Sequence, residues 1–221
     1  MRKKEYHHGN LKEDFLQIAF DFIEKEGIEK LTLKVLSDAT GTSRSAIYKH
    51  FSSKDVLIEQ IIIRGFDKFD ESTAPLLKDK SVSLIDRFYL SGHNYFTFAK
   101  NHSNLYRLLF GHKYASLREE VISINDEDCS GFGALKQAIE EGQKNGLLKK
   151  EDALMRTVLL WSSLHGLASL MIDGFMDVDK MEDELYEMMF QDMINASLAG
   201  KMKFLKALPF AEKLMTPKSK S

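Results

Sequence analysis

Arg44, Ser45, Tyr48, Lys49 and His50 crowd one short stretch of a chain of 221 residues. A guanidinium, a hydroxyl, a phenol, an ammonium and an imidazole at this spacing suit non-covalent recognition of DNA. Arg44 can pair bidentately with a guanine edge. Tyr48, Lys49 and His50 can donate to phosphate oxygens. Thr32, Ser53 and Lys54 stand at other predicted helix starts and would clamp the backbone on either side, and Arg2, Lys3 and Lys4 would form a basic arm. Bond-making chemistry has no such cluster. The histidines are scattered, with no His-x₃-His or His-Glu-x-x-His spacing, and the acidic run from Asn125 to Cys129 lacks the glycine and the final glutamate of a calcium loop. There is no glycine-rich phosphate loop and no Gly-x-Ser-x-Gly elbow. We therefore expect no catalytic residues, no metal and no cofactor.

The elements that must position those donors are helices. Leu11, Phe15, Ile18, Ala19, Phe22 and Ile23 recur at helical spacing over 11–26, with Asn10 as N-cap and Gly27 beyond the end. Thr32 precedes a short helix that ends at Gly41. Ser43 opens another over 44–50, with Ile47 and Phe51 facing inward. Ser53 caps a long one from Lys54 to about Leu77. Two short helices separated by Gly41-Thr42-Ser43 form a helix-turn-helix pattern. In it Gly41 supplies a positive φ, Leu36, Ala39 and Ile47 lock the pair, and Ser43 presents the start of the reading helix to DNA. A plain helical hairpin has the same spacing. Further helices are predicted at about 83–100, 103–113, 116–123, 131–145, 151–173 and 179–199, with a break at Ser72-Thr73-Ala74-Pro75. No segment alternates with a period of two, so the fold class is all-α.

Tyr6-His7-His8-Gly9-Asn10-Leu11, Glu26-Gly27, Leu31-Thr32-Leu33, Gly41-Thr42-Ser43, Ile47-Tyr48-Lys49-His50-Phe51 and Lys54-Asp55-Val56-Leu57 together closely resemble the DNA-binding domain of the tetracycline-repressor-like (TetR) family. Trp161-Ser162-Ser163-Leu164-His165-Gly166 resembles the Trp-His-Gly signature of one subgroup of its regulatory domains. The resemblance implies a helix-turn-helix domain over 1–56 and a helical regulatory and dimerisation domain over 57–221. It also implies a homodimer on a palindromic operator of double-stranded DNA, usually as a repressor, released when a small molecule tilts the fourth helix. By matching positions the DNA contacts would be Thr32, Thr42, Ser43, Arg44, Ser45, Tyr48, Lys49, His50 and Lys54. Ser37 and Thr40 stand where family members often carry small apolar residues.

Beyond those motifs the chain is less explicit. Its charge is nearly balanced, with a net of −2, so a basic DNA face must be local. The single cysteine, Cys129, fits a reducing, cytoplasmic setting. No apolar stretch approaches the roughly 20 residues that span a bilayer, and no membrane partner is expected. Phe66, Phe88, His93, Phe96, Tyr106, Phe110, Trp161 and His165 are candidates to line a small-molecule site, built from the aromatic types that equally make plain core. Met181, Leu185, Met188, Met189 and Met193 form a methionine-rich face, either core or the self-complementary patch of a two-fold dimer. A DNA-binding helical protein controlled by a partner, with no small ligand, is the alternative reading. Lys201 to Lys220 is basic, and the final residues from Thr216 read as a frayed tail.

Overall fold

The computed structural model describes residues 10–121, 130–175 and 182–199. Ten α-helices run in the order α1 (Leu11–Glu26), α2 (Leu33–Thr40), α3 (Arg44–Tyr48), α4 (Lys54–Lys78), α5 (Leu84–Asn101), α6 (Ser103–Phe110), α7 (Ala115–Val121), α8 (Ser130–Lys144), α9 (Ala153–Ile172) and α10 (Glu182–Ser197). Among the described residues β pairing amounts to one bridge, Leu148 with Leu198. The basic arm at residues 2–4, the acidic run before Cys129 and the basic stretch after Gly200 lie outside the described residues, as does the side chain of Met181.

Local chemistry starts the helices. Asn10, Thr32, Ser43, Ser53, Ser83 and Asp152 each accept a hydrogen bond from the amide three residues on. Each satisfies a donor that the first turn would otherwise leave open. Phe15, Ala19 and Ile23 of α1 close over Leu36, Ile47, Phe51, Leu57 and Ile58, all nearly or fully inaccessible, and make the core of a small N-terminal head. Ala39, expected to lock α2 to α3, is exposed, and Leu36 and Ile47 do that work. The same apolar core continues along α4 into a larger body, where α4 packs on α5 to α8, and α9 packs on α5 and α8.

Helix α4 does not break at Ser72–Pro75. It carries Pro75 inside and continues to Lys78. Proline removes a backbone donor and crowds the preceding turn, yet α5 stabilises the carbonyls around it. Asn94 Nδ2 donates to Ser72 O at 2.8 Å, Ser91 Oγ to Thr73 O at 3.2 Å, and Arg87 Nη1 to Leu77 O at 3.0 Å. Tertiary donors thus override a local stop signal.

Arg87 is buried at 3% side-chain exposure and forks onto Glu141 of α8, which Lys80 also reaches. Hydrogen bonds from Arg87 and Lys80 hold the Glu141 carboxyl down at about 2, against an ordinary 4.5. A depressed carboxyl stabilises the fold fully above its unfolded value and loses that contribution as pH falls toward the folded one. Glu141→Gln should lower stability by about 3 kcal/mol near neutrality, because it leaves Arg87 buried without a counter-charge. Thermal melts from pH 7 down to 2 should show the wild type converging on the variant below about pH 4.5. A constant gap across that range would refute the assignment.

Candidate nucleic-acid interface and core cavity

The turn between α2 and α3 has the geometry its residues demand. Gly41 adopts φ 67° and ψ 23°, left-handed backbone that β-carbon-bearing residues rarely take. Thr42 N donates to Ser37 O at 3.0 Å, closing the end of α2. The two polar departures on α2 are satisfied within it. Ser37 Oγ donates to Lys34 O, and Thr40 Oγ1 to Leu36 O while sharing a 2.7 Å bond with Thr42 Oγ1. Ser43 Oγ accepts from Ala46 N at 3.3 Å and so aims the first turn of α3.

One surface gathers the sequence candidates. Thr32, Ser43, Arg44, Ser45, Lys49 and His50 are exposed, and Tyr48 is 55% exposed, unusual for so large a ring. Thr42 and Lys54 are half-buried. Thr42 bonds inward to Thr40, and Lys54 Nζ donates to Leu31 O at 2.8 Å, tying the start of α4 to the loop before α2. The His50 ring lies 6.0 Å from that of Phe15. Three of the head's acids pair with cations of the body. Glu13 pairs with Arg64 at 2.5 Å, Glu24 with Lys68 at 2.6 Å, and Glu29 with Lys113. Arg44 and Lys49 stand exposed on the head, while these three acids pair with cations of the body.

A cavity of about 280 Å³ lies in the body, between α4, α5, α6, α7, α8 and α9. Phe66, Phe88, Phe110, Trp161 and His165 line it; His93, Phe96 and Tyr106 do not. His93 and Phe96 pack instead on Tyr186 of α10, at 5.7 and 5.2 Å between ring centres. Tyr106 sits behind the wall. Tyr95 OH lies 2.8 Å from Tyr106 OH, and Tyr106 OH lies 2.6 Å from His165 Nδ1. Burial pushes both tyrosines well above the ordinary phenol range, so they stay protonated. Burial, and then the charge of Arg118, lower His165 below its ordinary value. A neutral ring that accepts from Tyr106 OH at Nδ1 carries its proton on Nε2.

Comparison with known proteins decides what these two parts belong to. The profile described as "Bacterial regulatory proteins, tetR family" matches residues 15–61, and that of the "Tetracyclin repressor-like, C-terminal domain" matches residues 89–193. The chain belongs to the TetR family. It is therefore a TetR-family transcriptional regulator with a DNA-binding helix-turn-helix domain. It is 25% identical over 195 residues to an uncharacterised HTH-type transcriptional regulator of Mycobacterium tuberculosis, covering 86% of this chain and 80% of the relative. A protein of unknown function from Rhodococcus sp. RHA1 superposes with a TM-score of 0.73 at 25% identity, over 89% of this chain and all of that one. A TetR-family regulator from Vibrio parahaemolyticus shares the fold, with a TM-score of 0.57 at 19% identity, over 86% and 99% of the two chains.

Helix α3 thus lies on the head and the cavity in the body. Sequence reasoning missed Asp70, Arg118, Glu119 and Phe132 of the cavity wall. The first three are charges within predicted helices, and nothing local distinguishes a charge at a cavity rim from one in water. Among the described residues no helix is long and apolar enough to cross a membrane, and no cluster of His, Cys, Asp and Glu is placed to hold a metal.

Proposed function

We propose that this TetR-family regulator is a ligand-responsive repressor, acting in the cytoplasm as a homodimer on a palindromic operator and released by a small molecule in the cavity. Its head would be residues 1–56 and its regulatory domain 57–221. Arg44 and Ser45 would meet base edges. Thr32, Thr42, Ser43, Tyr48, Lys49, His50 and Lys54 would meet the backbone, with Lys54 sharing its ammonium between Leu31 O and a phosphate. Effector contacts would come from Phe66, Phe88, Phe110, Trp161 and His165, with Tyr106 orienting His165 from behind.

The observation that carries this reading is the course of α4. One unbroken helix of 25 residues sets Leu57 and Ile58 in the core of the head and Phe66, Phe69, Asp70 and Thr73 in the cavity wall. Its length of roughly 37 Å makes it a lever, so a ligand that displaces its cavity end also moves the head. The dimer is supported by α9. Met155, Leu159 and Leu170 are 61%, 58% and 44% exposed, with Ser162, Ser163 and Gly166 between them on the open side. A helix apolar on nearly every side is ordinarily buried, and a second copy of this face would bury it.

Selection from a random double-stranded DNA library tests the proposal. The full chain should enrich an inverted repeat, since two heads related by a two-fold axis read two half-sites. Enrichment of no sequence, or of a lone half-site, would refute operator binding by a dimer. The partner-controlled alternative is read from melting temperature. A cavity ligand raises it by mass action, and a broad compound collection that leaves it unmoved favours control by a partner.

A further inference from the structure

The cavity wall says what the effector should carry. Arg118 of α7 lines the cavity, and its Nη1 donates to Leu109 O at 2.8 Å and Gly111 O at 3.1 Å. Those two carbonyls at the end of α6 pin the guanidinium. No ion pair joins Arg118 to a carboxylate among the described residues, and its Nε and Nη2 hydrogens are not used in that grip. Nor are they sealed in. Among the described residues the one buried side-chain polar atom without a partner is Arg87 Nε, so the spare donors of the half-buried Arg118 keep accessible surface. The same holds for His165 Nε2–H. Its Nδ1 lies 2.6 Å from Tyr106 OH, and the ring lines the same cavity, where burial and then the Arg118 charge lower its basicity.

The acids of the wall are differently placed. Asp70 Oδ1 accepts from Gly131 N at 3.0 Å in the first turn of α8, and Asp70 has a further partner. Glu119 is exposed. The rest of the wall is ring surface. Phe66 and Phe110 meet edge-to-face at 5.5 Å, Trp161 lies 6.3 Å from Phe110 and 6.1 Å from Phe132, and His165 lies 5.8 Å from Trp161. A cation would find those faces but would stand beside a fixed guanidinium. An anion finds two donor side chains in the wall of one site of low polarity, where charge-assisted hydrogen bonds are strong.

We propose that the effector is a small aromatic carboxylic acid, its carboxylate received by Arg118 and His165 Nε2–H and its rings lodged beside Trp161, Phe110 and Phe132. This rests on the reading of the cavity as an effector site and names the class that site takes. At about 280 Å³ it is at the lower edge of small-molecule pockets, roughly 300–1,000 Å³, which suits one or two fused rings rather than a long acyl chain.

Calorimetric titration of the full chain, without DNA, tests it with three probes of one shape: 2-naphthoate, 2-naphthamide and (2-naphthylmethyl)trimethylammonium. The acid should bind at least about tenfold more tightly than the amide, and the cation more weakly still. Arg118→Gln should bring the acid down to the affinity of the amide and leave the amide unchanged, while Arg118→Lys should retain part of the preference. The order of the three probes on the wild type stands as a test even if Arg118→Gln does not fold. Equal binding of acid and amide, tighter binding of the cation, a folded Arg118→Gln that keeps the acid's affinity, or no heat from the acid at millimolar concentration would each overturn the assignment. Binding of the amide or cation alone refutes the carboxylate but leaves the effector cavity standing. The effector reading itself falls only if no compound in the broad melting screen binds.

Discussion

Replacing Tyr48 and Lys49 together by alanine should abolish operator binding while leaving the protein folded. Both side chains project from the end of α3 and its cap, exposed and without a protein partner among the described residues. A hydrogen bond to a phosphate oxygen contributes about 1 kcal/mol. Two such bonds on each of two heads make about 4 kcal/mol, or close to a thousandfold in Kd. Removing one lysine per head should also reduce the slope of log Kd against log salt by about 2. Melting temperature should scarcely change, because exposed substitutions away from special features usually fall within about 0.5 kcal/mol. Fluorescence anisotropy on the selected operator at several salt concentrations reads affinity and slope, and a thermal melt reads the third quantity. A variant with wild-type affinity and salt slope would remove α3 from the DNA interface. Arg44→Ala should behave differently: if Arg44 pairs with a guanine, its removal relaxes preference at that base pair more than it weakens binding to unrelated DNA.

The second large effect is expected at Leu159. This side chain is 58% exposed on α9, in line with Met155 and Leu170. In a two-fold dimer Leu159→Arg places two unpaired cations in one apolar interface, each costing several kcal/mol. Sedimentation at micromolar concentration should then show a monomer. Operator affinity should fall on the order of a hundredfold or more, because the second head no longer benefits from the first. Circular dichroism should report unchanged helix content, since Leu159 does not touch the core of its own chain. A Leu159→Arg protein that still sediments as a dimer would move the interface elsewhere, with the exposed Met188 of α10 as the next surface to examine.

The helix-turn-helix was legible because its determinants are local. A capping hydroxyl at Ser43, a glycine at Gly41 where φ must be positive, and Ile47 and Phe51 at helical spacing act within a few residues of one another. Such short-range terms survive in the linear chain. The same is true of the bounds of α1 and of the start of α4 at Ser53. Charge was legible only as a total. That Glu13, Glu24 and Glu29 turn inward to Arg64, Lys68 and Lys113, leaving Arg44 and Lys49 outward, is a fact about helices brought together from distant parts of the chain.

The amino-acid sequence by itself determined the all-α class, the family and the helix that presents Arg44, Ser45 and Tyr48, because periodicity, caps and turn residues act between near neighbours. Only the tertiary structure decided the continuity of α4 through Pro75, where Ser91 and Asn94 of another helix donate to its carbonyls. It also decided which aromatics line a cavity and which pack behind it. Phe96 and Phe110 are the same residue type on adjacent helices, yet one buries against Tyr186 and the other faces open space beside Trp161. Arg118 reads as one solvated charge among 31 basic side chains until the end of α6 pins it and α9 brings His165 near. Packing across the sequence creates that environment, and the linear order of residues does not encode it locally.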